Sequence, residues 1–599
     1  MQLKAYNKKS ERSGSWHSLI PLIFLVAVVP LIVFCKVITL KGASYAFWVG
    51  SKQNYDFFSY NKMVWILIST VAAIATLIIR MLSGKLKIKK IWLYIPMGVY
   101  SFFVIISALL SKYKDVSLIG FTDRYEGMFV ILSYIIVMFI TINMVENEKH
   151  VKVLLYALLA SATVMGILGV FQYFNMDIFQ TAFGKSLILP SKYKNLADKI
   201  KFTLGPRTVY GTLYHYNYMG SYMAMLTPLA FVLFIYSKNR KMKIAFGAIA
   251  LLMAFNLFAC RSRAGIVGGS FALLMFVIVS WKAVMRQWKI LIAAVLGVVV
   301  IFIGANAVTN GGIATRIGSI FWDIERNDNL QATHGIKDIV VGSNSIKIMD
   351  TSAILTAKVS GQELHFEDDK GNVLHAQIKN GEITLKDEKY SKYKFYMEKQ
   401  KGYNVLRMVI ENDKMDFAVT PEGFKYIAGN GVLVDPKPVE KFGFEGREKM
   451  GSSRAYIWSR SLPLLKHTIV AGYGPDTFAI YFPQYDYIGK LKAYGTASII
   501  VDKPHNLYLQ NAINTGVFSL ISLLVLFIGY FVSSVKAYFN NKFENFYSIA
   551  GLAIFTAICG YLGAGFFNDS VVSVAPVFWV LLGLGTAINL KLVGDGSLH

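Results

Sequence analysis

His505 stands in Pro504-His505-Asn506, where a long polar stretch ends and the apolar run Leu507–Val535 begins. An imidazole at such a junction lies at a membrane surface. It is wet enough to exchange protons near neutral pH and close enough to lipid to meet a lipid-borne substrate. Arginines recur at comparable junctions: Arg124, Arg207, Arg263 in Arg261-Ser262-Arg263, Arg316 and Arg454. One such arginine reads as an ordinary snorkelling side chain. As a group, charged residues at membrane depth point to a cavity or a partner. Guanidinium grips phosphate oxygens two at a time and keeps its charge, so the set suits a diphosphate whose lipid tail stays in the bilayer. His505 then reads as general base. Asn217 and Asp569 stand at neighbouring span ends, and Asn506 can cap the following helix or orient the imidazole.

The elements that must position these residues follow from composition. The chain has 599 residues, 54% hydrophobic and only 16% charged, which places it among polytopic α-helical membrane proteins. Hydropathy predicts about twelve spans. They are Leu19–Val37, Met63–Ile79, Ile91–Leu110, Gly127–Met144, Val151–Tyr173, Tyr218–Tyr236, Ile244–Phe258, Ala264–Trp281, Trp288–Ala307, Leu507–Val535, Tyr547–Phe567 and Val571–Leu590. The net charge of +26 is a topology signal, because basic residues crowd alternate connectors such as Lys85 to Lys90, Lys238 to Lys243 and Lys282 to Lys289. The positive-inside rule puts those connectors and both termini in the cytoplasm, and it disfavours nucleic acid as a partner. Cys35, Cys260 and Cys559 have no metal-ligand spacing and read as packing residues.

The domains expected are a basic leader (1–18), a first membrane block (19–307), an extracytoplasmic loop (308–506), a second membrane block (507–590) and a short tail (591–599). The leader and first span read as a retained signal anchor. Within the loop, residues 338–434 alternate apolar and polar positions and carry turn signals such as Asn380-Gly381. This predicts a small antiparallel all-β insert between the ninth and tenth spans. No Asp-x-Asp pair, P-loop or Ser-His-Asp signature appears, which disfavours a nucleotide-sugar transferase and an ATP-driven pump.

With these motifs in order, the chain resembles the O-antigen ligase and Wzy-type polymerase superfamily of bacterial membrane glycosyltransferases. The stretches are GFTDRYEG (120–127), RTVYGTLYHYNYMGSYMAMLTP (207–228), Ser262-Arg263-Ala264-Gly265, RAYIW (454–458), AGYGPDTF (471–478), PHNLYL (504–509) and Phe567-Asn568-Asp569. The resemblance implies metal-independent, cofactor-free transfer of a glycan from undecaprenyl diphosphate to a glycan, lipid or other hydroxyl acceptor. The reaction would occur outside the cytoplasmic membrane and with inversion. It assigns His505 to acceptor activation and Arg263 and Arg454 to the lipid diphosphate. Arg207, Arg124, Arg316, Asn217, Asn506 and Asp569 are expected to bind substrate. The β insert departs from the family pattern. The alternatives are a lipid-linked glycan flippase or exporter, and a non-catalytic polysaccharide assembly protein.

Overall fold

Long apolar runs satisfy their own backbone groups in a bilayer only as helices, and the chain folds accordingly. A computed structural model describes residues 15–48, 52–198, 205–286, 288–308, 336–427 apart from isolated positions, and 439–594 except 498. It also describes 311, 314, 315, 433 and 434. Among the described residues, seven helices are long and apolar enough to cross a membrane: Tyr60–Leu82, Glu148–Tyr173, Tyr216–Tyr236, Arg240–Ala259, Val517–Tyr538, Phe546–Ala564 and Ala575–Val593. Shorter apolar segments run over Trp16–Leu31, Tyr94–Leu110, Met128–Met144 and Arg263–Val279, and Trp288–Val308 is a further helix. The protein is thus a multi-pass membrane protein, mostly helical, with a β-rich region.

One expected span is corrected. Leu507–Val535 is two helices, Leu507–Asn514 and Val517–Tyr538. Gly516 breaks the run with φ +106°, and a Cβ there would lie 2.8 Å from the Val470 carbonyl oxygen. Averaged hydropathy runs through this break, because Leu507, Leu509, Ala512 and Ile513 carry the apolar run up to it despite Gln510, Asn511 and Asn514. The short first helix follows the His505 turn, and the long second one is long and apolar enough to span.

The Tyr216–Tyr236, Phe546–Ala564 and Ala575–Val593 helices are buried along most of their length. The first two pack on each other and on Arg263–Val279. Small residues permit the close approach: a Cβ on Gly560 would meet the Ala224 carbonyl oxygen at 2.0 Å. This tight trio fixes the loops at its end.

Between the helical blocks, antiparallel strands run from Ile336–Val341 to Leu433–Val434. Four form one sheet and seven form another, each a meander in sequence order. Inward residues such as Ile348, Phe366, Phe395, Leu406 and Phe417 make their shared core. Leu491, Ala497, Tyr487 and Ile488, from or just beyond the short helix Tyr487–Tyr494, belong to that same core. The insert is therefore seated on the segment that leads back to the membrane.

Candidate active site

The Pro504-His505-Asn506 turn is held from three sides. Asn506 caps the Leu507–Asn514 helix by accepting from Tyr508 N (3.0 Å) and Leu509 N (2.9 Å). Its amide donates to the Phe566 carbonyl at 3.1 Å. Leu507 N donates to the Gly565 carbonyl at 2.7 Å, so this turn and the 565–570 turn are laced together. From the helix Met450–Ser461, Trp458 Nε1 donates to the Pro504 carbonyl at 2.9 Å. Arg454, one turn earlier, donates from Nε to the Phe567 carbonyl at 3.0 Å. One helix therefore clamps both turns.

Within that clamp His505 takes a left-handed conformation, φ +50°, a strained state for a non-glycine residue. Its Nδ1 lies 3.1 Å from Asp569 Oδ2, with the imidazole 28% exposed and the carboxylate 1% exposed. A proton on Nδ1 facing the carboxylate leaves the Nε2 lone pair free to accept another. Burial pushes the Asp569 carboxyl up, but His505 and Lys503 outweigh it, and its pKa falls below the ordinary value. Asp569 thus remains a carboxylate that orients the ring.

Cations surround the pair. Arg454 is buried and also donates to the Gly451 carbonyl at 2.9 Å. Burial lowers its pKa, with Arg263 adding to the effect and Asp569 opposing it. Arg454, Arg263 and Asp569 therefore share one electrostatic neighbourhood. Arg263 opens the Arg263–Val279 helix behind the Ser262 cap, whose hydroxyl bonds Gly265 N (3.2 Å) and Asn217 Oδ1 (3.1 Å). Arg261 sits at φ +56°, and its buried Nε has no partner among the described residues. Lys503 adjoins the turn and donates to the Tyr218 hydroxyl at 2.6 Å.

The other expected residues separate by what they touch. Arg124 is buried against Asp476 (Nε to Oδ1, 2.9 Å) and donates to the Asp502 carbonyl. Asp476 in turn accepts from Phe121 N at 2.6 Å, so Arg124 pins two loops together. Asn217 is a strut: its carbonyl accepts from Asn568 Nδ2 at 2.9 Å. Arg207 is exposed, with only its backbone N–H tied to Asn175 (2.8 Å), and no contact joins its side chain to the cluster among the described residues. Arg316 lies outside the described residues.

Sequence reasoning passed over two members. Lys503 was hidden by its own neighbour, the histidine motif. His215 lies within residues 207–228 and shares the electrostatic neighbourhood of Lys503, His505, Asp502 and Arg454. A histidine two residues ahead of Asn217, at the head of an aromatic helix start, was the available signal.

The O-Antigen ligase family model matches residues 404–524, about a fifth of the chain. The match takes in the last strands of the insert, Arg454, Trp458 and His505, and stops before Asp569. It supports the O-antigen ligase and Wzy-type resemblance and, with it, glycan transfer of the ligase or polymerase type. No curated protein and no solved structure matches the chain.

Proposed function

We propose that this multi-pass membrane protein transfers or polymerises a glycan carried on undecaprenyl diphosphate, outside the cytoplasmic membrane. The observation that carries the reading is the His505–Asp569 pair, with Arg454 bonded to the Phe567 carbonyl of the same turn and Arg263 within electrostatic reach of Arg454. An accessible base oriented by a buried carboxylate stands beside guanidiniums suited to a diphosphate.

In the proposed step an acceptor hydroxyl attacks the anomeric carbon of the lipid-linked sugar. The new C–O bond forms as the C–O bond to the diphosphate breaks. His505 Nε2 takes the hydroxyl proton, and Asp569 stabilises the resulting imidazolium. The diphosphate leaves with the bonding electrons, its growing charge met by Arg454 and Arg263. Diphosphate is a good leaving group, so no general acid is needed, and direct displacement inverts the donor linkage. Arg124, Asn217 and Asn506 act here as architecture rather than as substrate ligands.

The test is turnover of the native lipid-linked donor by purified protein. A ladder of longer lipid-linked chains identifies a polymerase. Transfer to a different acceptor with release of undecaprenyl diphosphate identifies a ligase. Arg263→Lys should fail in either assay, because an ammonium lacks the planar fork; full activity would remove the diphosphate role.

A further inference from the structure

His215 closes the N-terminus of the Tyr216–Tyr236 helix by accepting from Asn217 N at its Nδ1, 3.1 Å. That bond decides the tautomer: with the Nδ1 lone pair in use, the neutral ring carries its proton on Nε2. The ring lies 4.1 Å from Tyr216 and 5.8 Å from Tyr218, centroid to centroid. Tyr214 stacks on Tyr218 at 6.5 Å and is 38% exposed. Successive residues thus form an aromatic strip that is partly open.

The strip adjoins the proposed site. Lys503, two residues before His505, donates to the Tyr218 hydroxyl. Asn568, the neighbour of Asp569, donates to the Asn217 carbonyl, so this helix start is tied to the turn that carries the proposed pair. The strip therefore lies beside the base turn, where a reacting sugar has to sit. A pyranose ring presents apolar C–H faces and hydroxyl edges, and partly exposed aromatic rings with one fixed donor match both. A charged imidazole would repel the neighbouring cations. Burial first, then Lys503 and His505, push the His215 pKa down to about 3, so the ring is a neutral donor.

The geometry points to Tyr214, His215 and Tyr216 as the subsite for the first sugar ring of the donor, with His215 Nε2–H donating to a ring hydroxyl. This deepens the proposed function and rests on it. His215 would bind and place the sugar rather than move a proton.

Two substitutions separate that role from helix capping. His215→Asn keeps a side-chain oxygen for the cap but cannot reach the Nε2 position. His215→Gln places its amide N–H close to where Nε2–H stands. The probes are bare undecaprenyl diphosphate and the lipid-linked glycan extracted from cells that make this protein, each measured for binding to the purified full chain. The expected result is that His215→Asn binds the glycan-bearing lipid about tenfold more weakly, the loss of one buried hydrogen bond. Binding of the bare lipid should be unchanged, and His215→Gln should recover most of the loss. Equal binding of both lipids by His215→Asn and wild type overturns the subsite. So does an equal loss on both lipids, or a Gln variant as weak as Asn. A wild-type protein that binds neither lipid overturns instead the donor reading beneath it.

Discussion

His505, the proposed base, pairs with Asp569 at 3.1 Å, and the loss expected on removing each group differs in kind. His505→Ala should reduce transfer by about a hundredfold to ten-thousandfold, the range of a lost general base, with unchanged membrane insertion and donor binding. Wild-type turnover by that variant would sink the assignment. Asp569→Asn keeps the shape but removes the charge that holds the imidazolium, so kcat should fall while the donor KM stays within about twofold. A second carboxyl, bonded to the Asp569 turn through Ser570, behaves oppositely. Glu126 accepts from Ser570 Oγ at 2.7 Å and from Tyr134 at 2.8 Å. Burial pushes its pKa up to about 8. A folded-state pKa above the unfolded value gives stability that is full at acid pH and declines as pH rises from about 4.3 toward the folded value. Asp569, with its lowered pKa, contributes above the ordinary carboxylate range and loses that contribution in acid. Thermal unfolding in detergent should therefore show a decline between pH 5 and 8 that Glu126→Gln flattens; an unaltered slope in that variant would exclude Glu126 as its source.

Elements, rather than ligands, explain much of the arginine pattern. Trp458 is the contact by which the Met450–Ser461 helix holds the histidine turn. Trp458→Phe keeps the ring packed on Phe567 but removes the N–H, and about 1 kcal/mol with it. Transfer should fall several-fold with little change in melting temperature, because the loss lies in the placement of His505. Arg124 predicts the reverse: Arg124→Met strands the buried Asp476 carboxylate, at about 3–5 kcal/mol. Reduced folded yield with a near-normal donor KM in the surviving protein would fit a structural clasp; a raised KM in well-folded protein would restore Arg124 as a ligand. These two residues mark what could be read in the sequence. His505, Arg454 and their shared side followed from motif and charge asymmetry, which are local signals. The partner of Arg124 lies 352 residues away in a Gly-Pro-Asp turn, and no periodicity connects them. The pairing of His505 with Asp569 is closer in sequence but crosses the Val517–Tyr538 and Phe546–Ala564 helices, so no local signal joins them although each residue stands out alone. The split at Gly516 is not legible in window hydropathy, which averages Gln510, Asn511 and Asn514 into the apolar run.

At the scale of the molecule, the β insert and the Met450–Ser461 helix are coupled through one short element. Tyr487–Tyr494 buries Tyr487 and Leu491 in the insert's core, with Tyr487 and Tyr426 ring centroids 3.4 Å apart. The same helix meets the clamp on its other side. Ser453 Oγ, one residue before Arg454, donates to the Ala493 carbonyl at 2.6 Å, and Arg460 pairs with Asp486 at 2.8 Å. The insert is thus two steps from Arg454, and removing it does two things at once. It takes away whatever the sheets recognise, and it exposes the apolar face that steadies the clamp. Deletion of 338–434 should therefore impair transfer even if the sheets bind nothing. Leu491→Ser in the intact chain separates the effects, because it loosens the seat while keeping the sheet surface. If Leu491→Ser lowers kcat as far as the deletion does, with acceptor KM unchanged, the insert acts as a mechanical support. If only the deletion raises acceptor KM, the sheets hold the acceptor, and the insert selects whose hydroxyl reaches His505.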